Sequence, residues 1–167
     1  SRRLLLASVA TAALFPAAAM AEDAPDLSKL AEPPANGEIA EGSADAKVTV
    51  IEYASSSCPH CADFFMNVYP ALKKDYIDTG KVRFLFREFP HNDAGLGGFM
   101  IARCAPPDKY MGIVGALFKT QATWLPNPLE GLKAIALQAG FTEQAFNDCI
   151  KNVDVAQKIL TERKRAE

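Results

Sequence analysis

Residues 47–61, KVTVIEYASSSCPHC, constrain the fold more than any other stretch of this chain. Residues 47–54 are β-branched and apolar on both faces, the pattern of a strand buried on two sides. From Pro59 the period changes: Cys61, Phe64, Phe65, Val68 and Leu72 recur at three- and four-residue steps, which marks a helix face. Pro70 falls inside that run and predicts a kink there or an end just before it. Gly80 then breaks the chain, and KVRFLFREF (81–89) reads as a second strand. Strand, helix, strand at this length predicts a βαβ unit with parallel strands. Phe84, Phe86 and Phe89 alternate on the second strand and read as core rather than as a ligand cage.

The spacing Cys58-Pro59-His60-Cys61 admits a metal clip, a structural staple or a reactive dithiol. Only thiolates attack disulfides, so a redox reading requires a site that favours negative charge on sulfur. Cys58 stands where the strand gives way to the helix, at unpaired backbone N–H groups and the positive end of the helix dipole. Pro59 at the first helical position leaves no donor unused. His60, between the sulfurs, can carry positive charge or donate a hydrogen bond towards Cys58. Cys61 lies one turn further in, on the face of Phe64, Phe65 and Val68, and is expected to be more buried and to keep its proton longer. Cys58 is thus the candidate attacking thiol and Cys61 the resolving one. Zinc would need two further ligands, yet Cys104 and Cys149 are 45 residues apart and His91 is the one other histidine. His91 could border the site, although a solvated loop histidine is the plainer reading.

Glu52 interrupts the first strand six residues before Cys58. A buried carboxylate without a cation tends to hold its proton, and beside Cys61 it could relay that thiol's proton. A strand-edge glutamate reaching solvent fits the pattern equally well.

The N-terminal SRRLLLASVATAALFPAAAMA has two arginines, an apolar run and Ala19-Met20-Ala21, the layout of a secretory signal peptide spanning 1–21. Pro16 and the many alanines argue against a membrane anchor, which needs ~20 strongly apolar residues. Removing the leader takes two of 18 basic residues and none of 20 acidic ones, leaving 16 against 20. That balance, with no basic stripe, argues against nucleic acid. Export makes an even count of four cysteines read as disulfides. Cys104 and Cys149 are then either buried free thiols or, as export favours, a second bridge.

Residues 22–44 read as a flexible lead-in, 45–92 as the βαβ part and 93–167 as helical. Segments AGLGGFMIARCA and DKYMGIVGALFKTQATW are read as two helices. A third starts with Asn127 as cap, Pro128 first and Glu130 three on, and stops at Gly140. TEQAFNDCIKN is a fourth, and a fifth begins at 153. The chain opens on Ser and stops in the charged run ILTERKRAE, so both ends read as cut.

The strand with Glu52, Cys58-Pro59-His60-Cys61, the kinked helix, the FREFP strand, the helical stretch and the export signal together resemble the DsbA family of thiol–disulfide oxidoreductases. The resemblance implies an α/β thioredoxin-like fold with an inserted α-helical domain, and a periplasmic oxidase acting on reduced exported proteins. It implies Cys58 as nucleophile, Cys61 as resolving cysteine, His60 as tuner and Glu52 as the buried acid. It also implies a quinone-linked DsbB-type membrane partner for reoxidation and no cofactor. The Cys104–Cys149 pair resembles a family branch with a second disulfide in its helical domain. The family continues with two strands, a last helix and a cis-proline loop facing the cysteines, and none of these occurs before Glu167. Residues 22–167 alone are therefore expected to fold poorly and turn over slowly. A reductase or isomerase on the same fold, and a non-catalytic metal-binding or interaction module, are the competing readings.

Overall fold

The computed structural model describes Leu30 and residues 32–167. The 1–21 leader therefore lies outside the described residues, as does most of the lead-in. Among the described residues the sheet has three strands, β1 (Ile39–Glu41), β2 (Val48–Ala54) and β3 (Val82–Glu88), in the order β1-β3-β2. β2 pairs parallel with β3 from Val48 opposite Val82 to Ala54 opposite Glu88. β1 runs antiparallel on the other side of β3, with Ile39 opposite Phe86. The βαβ unit is the one the periodicity predicts.

Two sequence expectations fail in this sheet. Residues 39–41 were expected to belong to an irregular lead-in, and instead form β1. Three residues are too few to show a period, and the strand is pinned by a side chain: Glu41 accepts from Tyr69 Oη at 2.6 Å and Lys73 Nζ at 2.8 Å. β2 is also less buried than its apolar pattern suggests. Its first two residues are exposed, with Val48 at 52%, and its outer edge has no strand partner among the described residues. The strand covered on both faces is β3, where Phe84 and Phe86 point one way and Leu85 and Arg87 the other, all buried. Phe89 lies beyond the strand and is half-buried, packed edge-on to Tyr53 and His91.

Helix α1 covers 59–77 and alternates tight and wide turns: Pro59–Asp63 and Tyr69–Leu72 are α-helical, Phe64–Val68 and Lys73–Ile77 π-helical. Pro70 has no N–H to give to the preceding turn, and the Tyr69 N–H reaches back five residues to the Phe64 carbonyl. The expected irregularity at Pro70 is thus spread into a wide turn just before it.

Six helices follow: α2 (Asp93–Cys104), α3 (Tyr110–Lys119), α4 (Gln121–Trp124), α5 (Pro128–Gln138), α6 (Glu143–Ile150) and α7 (Val153–Ala166). The segment read as one helix through Trp124 breaks at Thr120, whose φ of −116° and ψ of 20° leave the helical basin. α5 starts at Pro128 as expected, but the Asn127 side chain makes no cap bond. Gly140, with φ +97°, supplies the left-handed residue that stops it. Phe99, Val114, Leu117, Trp124, Phe146 and Ile159 are buried together against Phe84 and Phe86. Burying each large side chain contributes ~1.5–3 kcal/mol.

Three glycines make α2 a poor helix by propensity, and packing explains them. A Cβ on Gly98 would lie 2.5 Å from Ser56 Oγ and 3.3 Å from both Leu117 methyls. The helix can therefore lie directly on the Ser55–Ser57 loop. Gly98→Val should lower stability by about 2–3 kcal/mol in urea unfolding. Gly112→Ala, where nothing lies within 4 Å, should be neutral or stabilising by up to ~1 kcal/mol.

Candidate active site

The loop joining β2 to α1 is held from four directions. The Cys58 N–H donates to the Ser55 carbonyl at 3.0 Å, closing a turn. Ser55 Oγ accepts the His91 N–H at 3.3 Å and lies 3.1 Å from Ser57 Oγ. Ser56 Oγ donates to the Gly95 carbonyl at 2.9 Å. Gln121 Nε2, from α4, donates to the carbonyls of Ser56 at 2.8 Å and Cys58 at 2.9 Å. Ser55 and Ser56 are fully buried.

This loop sets Cys58 as the residue capping α1, in extended backbone geometry, with Pro59 at the first helical position. The Cys58 carbonyl accepts the Ala62 N–H at 3.1 Å. Cys58 and Cys61 are both free thiols and both fall in the half-buried range, so burial class does not separate them. Their surroundings differ instead, because Cys61 packs against the core. Burial pushes its thiol up to about 11; proximity to Cys58 acts the same way, while a hydrogen bond from the Ser55 backbone opposes it.

Glu52 is half-buried, with Oε2 shielded from solvent and without a hydrogen-bond partner among the described residues. Desolvation raises its carboxyl to about 7, and it lies near enough to Cys61 to add to that thiol's upward push. Between roughly pH 4.5 and 7 the folded protein therefore holds a proton that the unfolded chain has released. Stability falls as pH rises through that window and is lowest above it. Glu52→Gln should accordingly stabilise the protein by ~1–3 kcal/mol at pH 8, with the gain vanishing below about pH 4.5. Urea midpoints across pH measure this, and a pH-independent gain would count against it.

His60 is exposed, and its side chain makes no hydrogen bond among the described residues, to Cys58 or elsewhere. His91 is also exposed, but its backbone touches Ser55 and its ring meets Phe89 edge-on at 5.8 Å. Cys104 and Cys149 form a disulfide between α2 and α6, with Cα atoms 6.0 Å apart. Sequence reasoning missed Gln121, the serine loop's partners and a buried polar cluster at the end of β3. There Glu88, fully buried, accepts from Arg103 Nε, from Tyr110 Oη at 2.8 Å and from Asn36 Nδ2 at 3.4 Å. The run GLGG opposite SSS was the available signal for the loop's packing.

Two cysteines at the start of a helix that follows a parallel strand, with the half-buried Glu52 near the inner one, form a candidate dithiol site on a βαβ frame. Known proteins point the same way. A family model described as thioredoxin matches residues 35–167. The crystal structure of Wolbachia pipientis alpha-DsbA1 superposes with a TM-score of 0.75 at 34% identity, covering 83% of this chain and 72% of that one. A Rickettsia bellii protein with the provisional description protein-disulfide oxidoreductase is 31% identical over 122 residues, 71% of this chain and 47% of that protein. Disulfide bond formation protein D of Bacillus subtilis is 40% identical over 55 residues, 33% of this chain and 25% of that protein. The chain belongs to the thioredoxin family, in its DsbA group of thiol–disulfide oxidoreductases. It spans about half the length of the curated relatives it matches.

Proposed function

We propose that this chain carries the exchange centre of an exported oxidase that passes the Cys58–Cys61 disulfide to reduced polypeptides. The observation that carries the reading is the inequality of the two thiols: Cys58 caps a helix, while Cys61 packs on the core with its thiol raised to about 11. A substrate thiolate attacks Cys58 Sγ, and the Cys58–Cys61 bond breaks with its electron pair going to Cys61 Sγ. At neutral pH that sulfur takes a proton, for which the Glu52 carboxyl is the nearby source. A second substrate thiolate then attacks the substrate sulfur of the mixed disulfide, and Cys58 leaves as thiolate. The substrate gains a disulfide and loses two electrons, and the protein becomes a dithiol. His60, exposed on the first turn of α1, is the tuner of the outgoing thiolate in this reading.

The leader-like 1–21 segment and the DsbA relatives support export to the periplasm. There a quinone-linked membrane oxidase of the DsbB type would restore the disulfide. The Cys104–Cys149 bridge, in this reading, is structural. Its existence also weighs against a metal clip, because it occupies the only other cysteines. The test is to mix oxidised protein with a reduced, unfolded two-cysteine polypeptide and follow loss of substrate thiols. Stoichiometric disulfide transfer is expected. No transfer would sink the reading, and preferential reduction of a disulfide-bonded substrate would turn it into a reductase.

A further inference from the structure

We propose that Gln121 is a positioning residue through which the helical part of the chain sets the redox poise of Cys58, an inference that rests on the exchange reading above. Its side chain spans two backbone carbonyls of the site loop, Ser56 at 2.8 Å and Cys58 at 2.9 Å. Both partners can only accept, so it is the amide NH2 that faces them, with both of its hydrogens used.

Gln121 itself stands on a rigid base. Thr120 Oγ1 donates to the Ala116 carbonyl at 2.7 Å. Trp124, at the other end of α4 and 1% exposed, donates its indole N–H to the Leu117 carbonyl at 2.8 Å. The amide is thus fixed relative to α3 rather than following the loop.

Two consequences follow for the sulfur. Ser56 is fully buried, so its carbonyl would otherwise face a dry interior unpaired. A carbonyl oxygen is also the negative end of a dipole, and the two that Gln121 holds belong to Cys58 itself and to the residue two before it. Donors on both oxygens offset those dipoles and hold Cys58 at the end of the helix, where the first-turn N–H groups are available. Gln121 touches neither sulfur, so it acts through the loop.

Gln121→Met keeps the side chain's length and removes both donors; Gln121→Glu sets a carboxylate against the two oxygens. The pH profile of Cys58 alkylation should move its midpoint upward by about half a unit in the Met variant and further in the Glu variant. In a fixed glutathione buffer the ratio of dithiol to disulfide should fall roughly three-fold for the Met variant. In the unaltered protein, the Gln121 side-chain amide resonances should shift on reduction more than those of Gln138, Gln144 and Gln157. A lower urea midpoint with an unmoved alkylation profile would overturn the proposal, as would equal resonance shifts for the four glutamines. If the unaltered protein oxidises no substrate yet the variants still shift the profile, the oxidase reading fails and the positioning role stands.

Discussion

Cys58→Ala should abolish disulfide transfer altogether, while Cys61→Ala should stall the protein as a mixed disulfide. Removing Cys58 leaves no Cys58–Cys61 bond for a substrate thiolate to open, and the remaining Cys61 thiol is still disfavoured as a thiolate by burial. Transfer should therefore drop to the rate of the buffer without protein. In Cys61→Ala, Cys58 can still be charged by glutathione disulfide, but nothing inside the protein displaces the adduct. Intact-mass measurement should find one glutathionyl group on Cys61→Ala, lost on adding reductant, and none on Cys58→Ala. Equal labelling of both variants would remove the distinction between attacking and resolving thiols.

The largest stability effect should come from Glu88→Ala. The Glu88 carboxylate gathers Arg103, Tyr110 and Asn36, joining β3 to α2, α3 and the segment before β1. Its removal leaves the largely buried guanidinium of Arg103 without its charge partner, although that group still donates to the carbonyls of Asn36 and Gly37. Breaking a buried pair in this way costs about 3–5 kcal/mol. The next residue, Phe89, donates its N–H to the Ala54 carbonyl at 2.7 Å, so the loss should also loosen the entry to the Ser55–Cys58 loop. Asp154→Ala, which removes the exposed pair with Lys158, should change stability by less than about 1 kcal/mol. Urea unfolding of both variants makes the comparison, and similar losses would mean that the buried cluster carries no special weight.

Much of the exchange centre was legible because it is local. The strand period, the change of period at Pro59 and the Cys58–Cys61 spacing all lie within about thirty residues, and each has a geometric meaning that needs no tertiary partner. What failed to show was long-range. β1 is only three residues, and what fixes it is Glu41 bonding to Tyr69 and Lys73 about thirty positions away. Arg87 and Glu88 look in sequence like the polar end of a strand. They are fully buried because Glu38, Tyr53, Glu162, Arg103 and Tyr110 converge on them. Gln121 had no local pattern at all; its role appears only when α4 is placed over the loop. His60 is the opposite case, since its position in the motif suggested a bond to Cys58 that the exposed side chain does not make.

The most direct test is the equilibrium of the Cys58–Cys61 pair with glutathione, read by acid-quenched alkylation and mass. The Cys58–Cys61 pair should show a reduction potential above about −180 mV, more oxidising than the glutathione pool, with Cys61 protected and Cys58 the sulfur that forms the glutathione adduct. A potential near that of thioredoxin, about −270 mV, or an adduct on Cys61 instead, would contradict it.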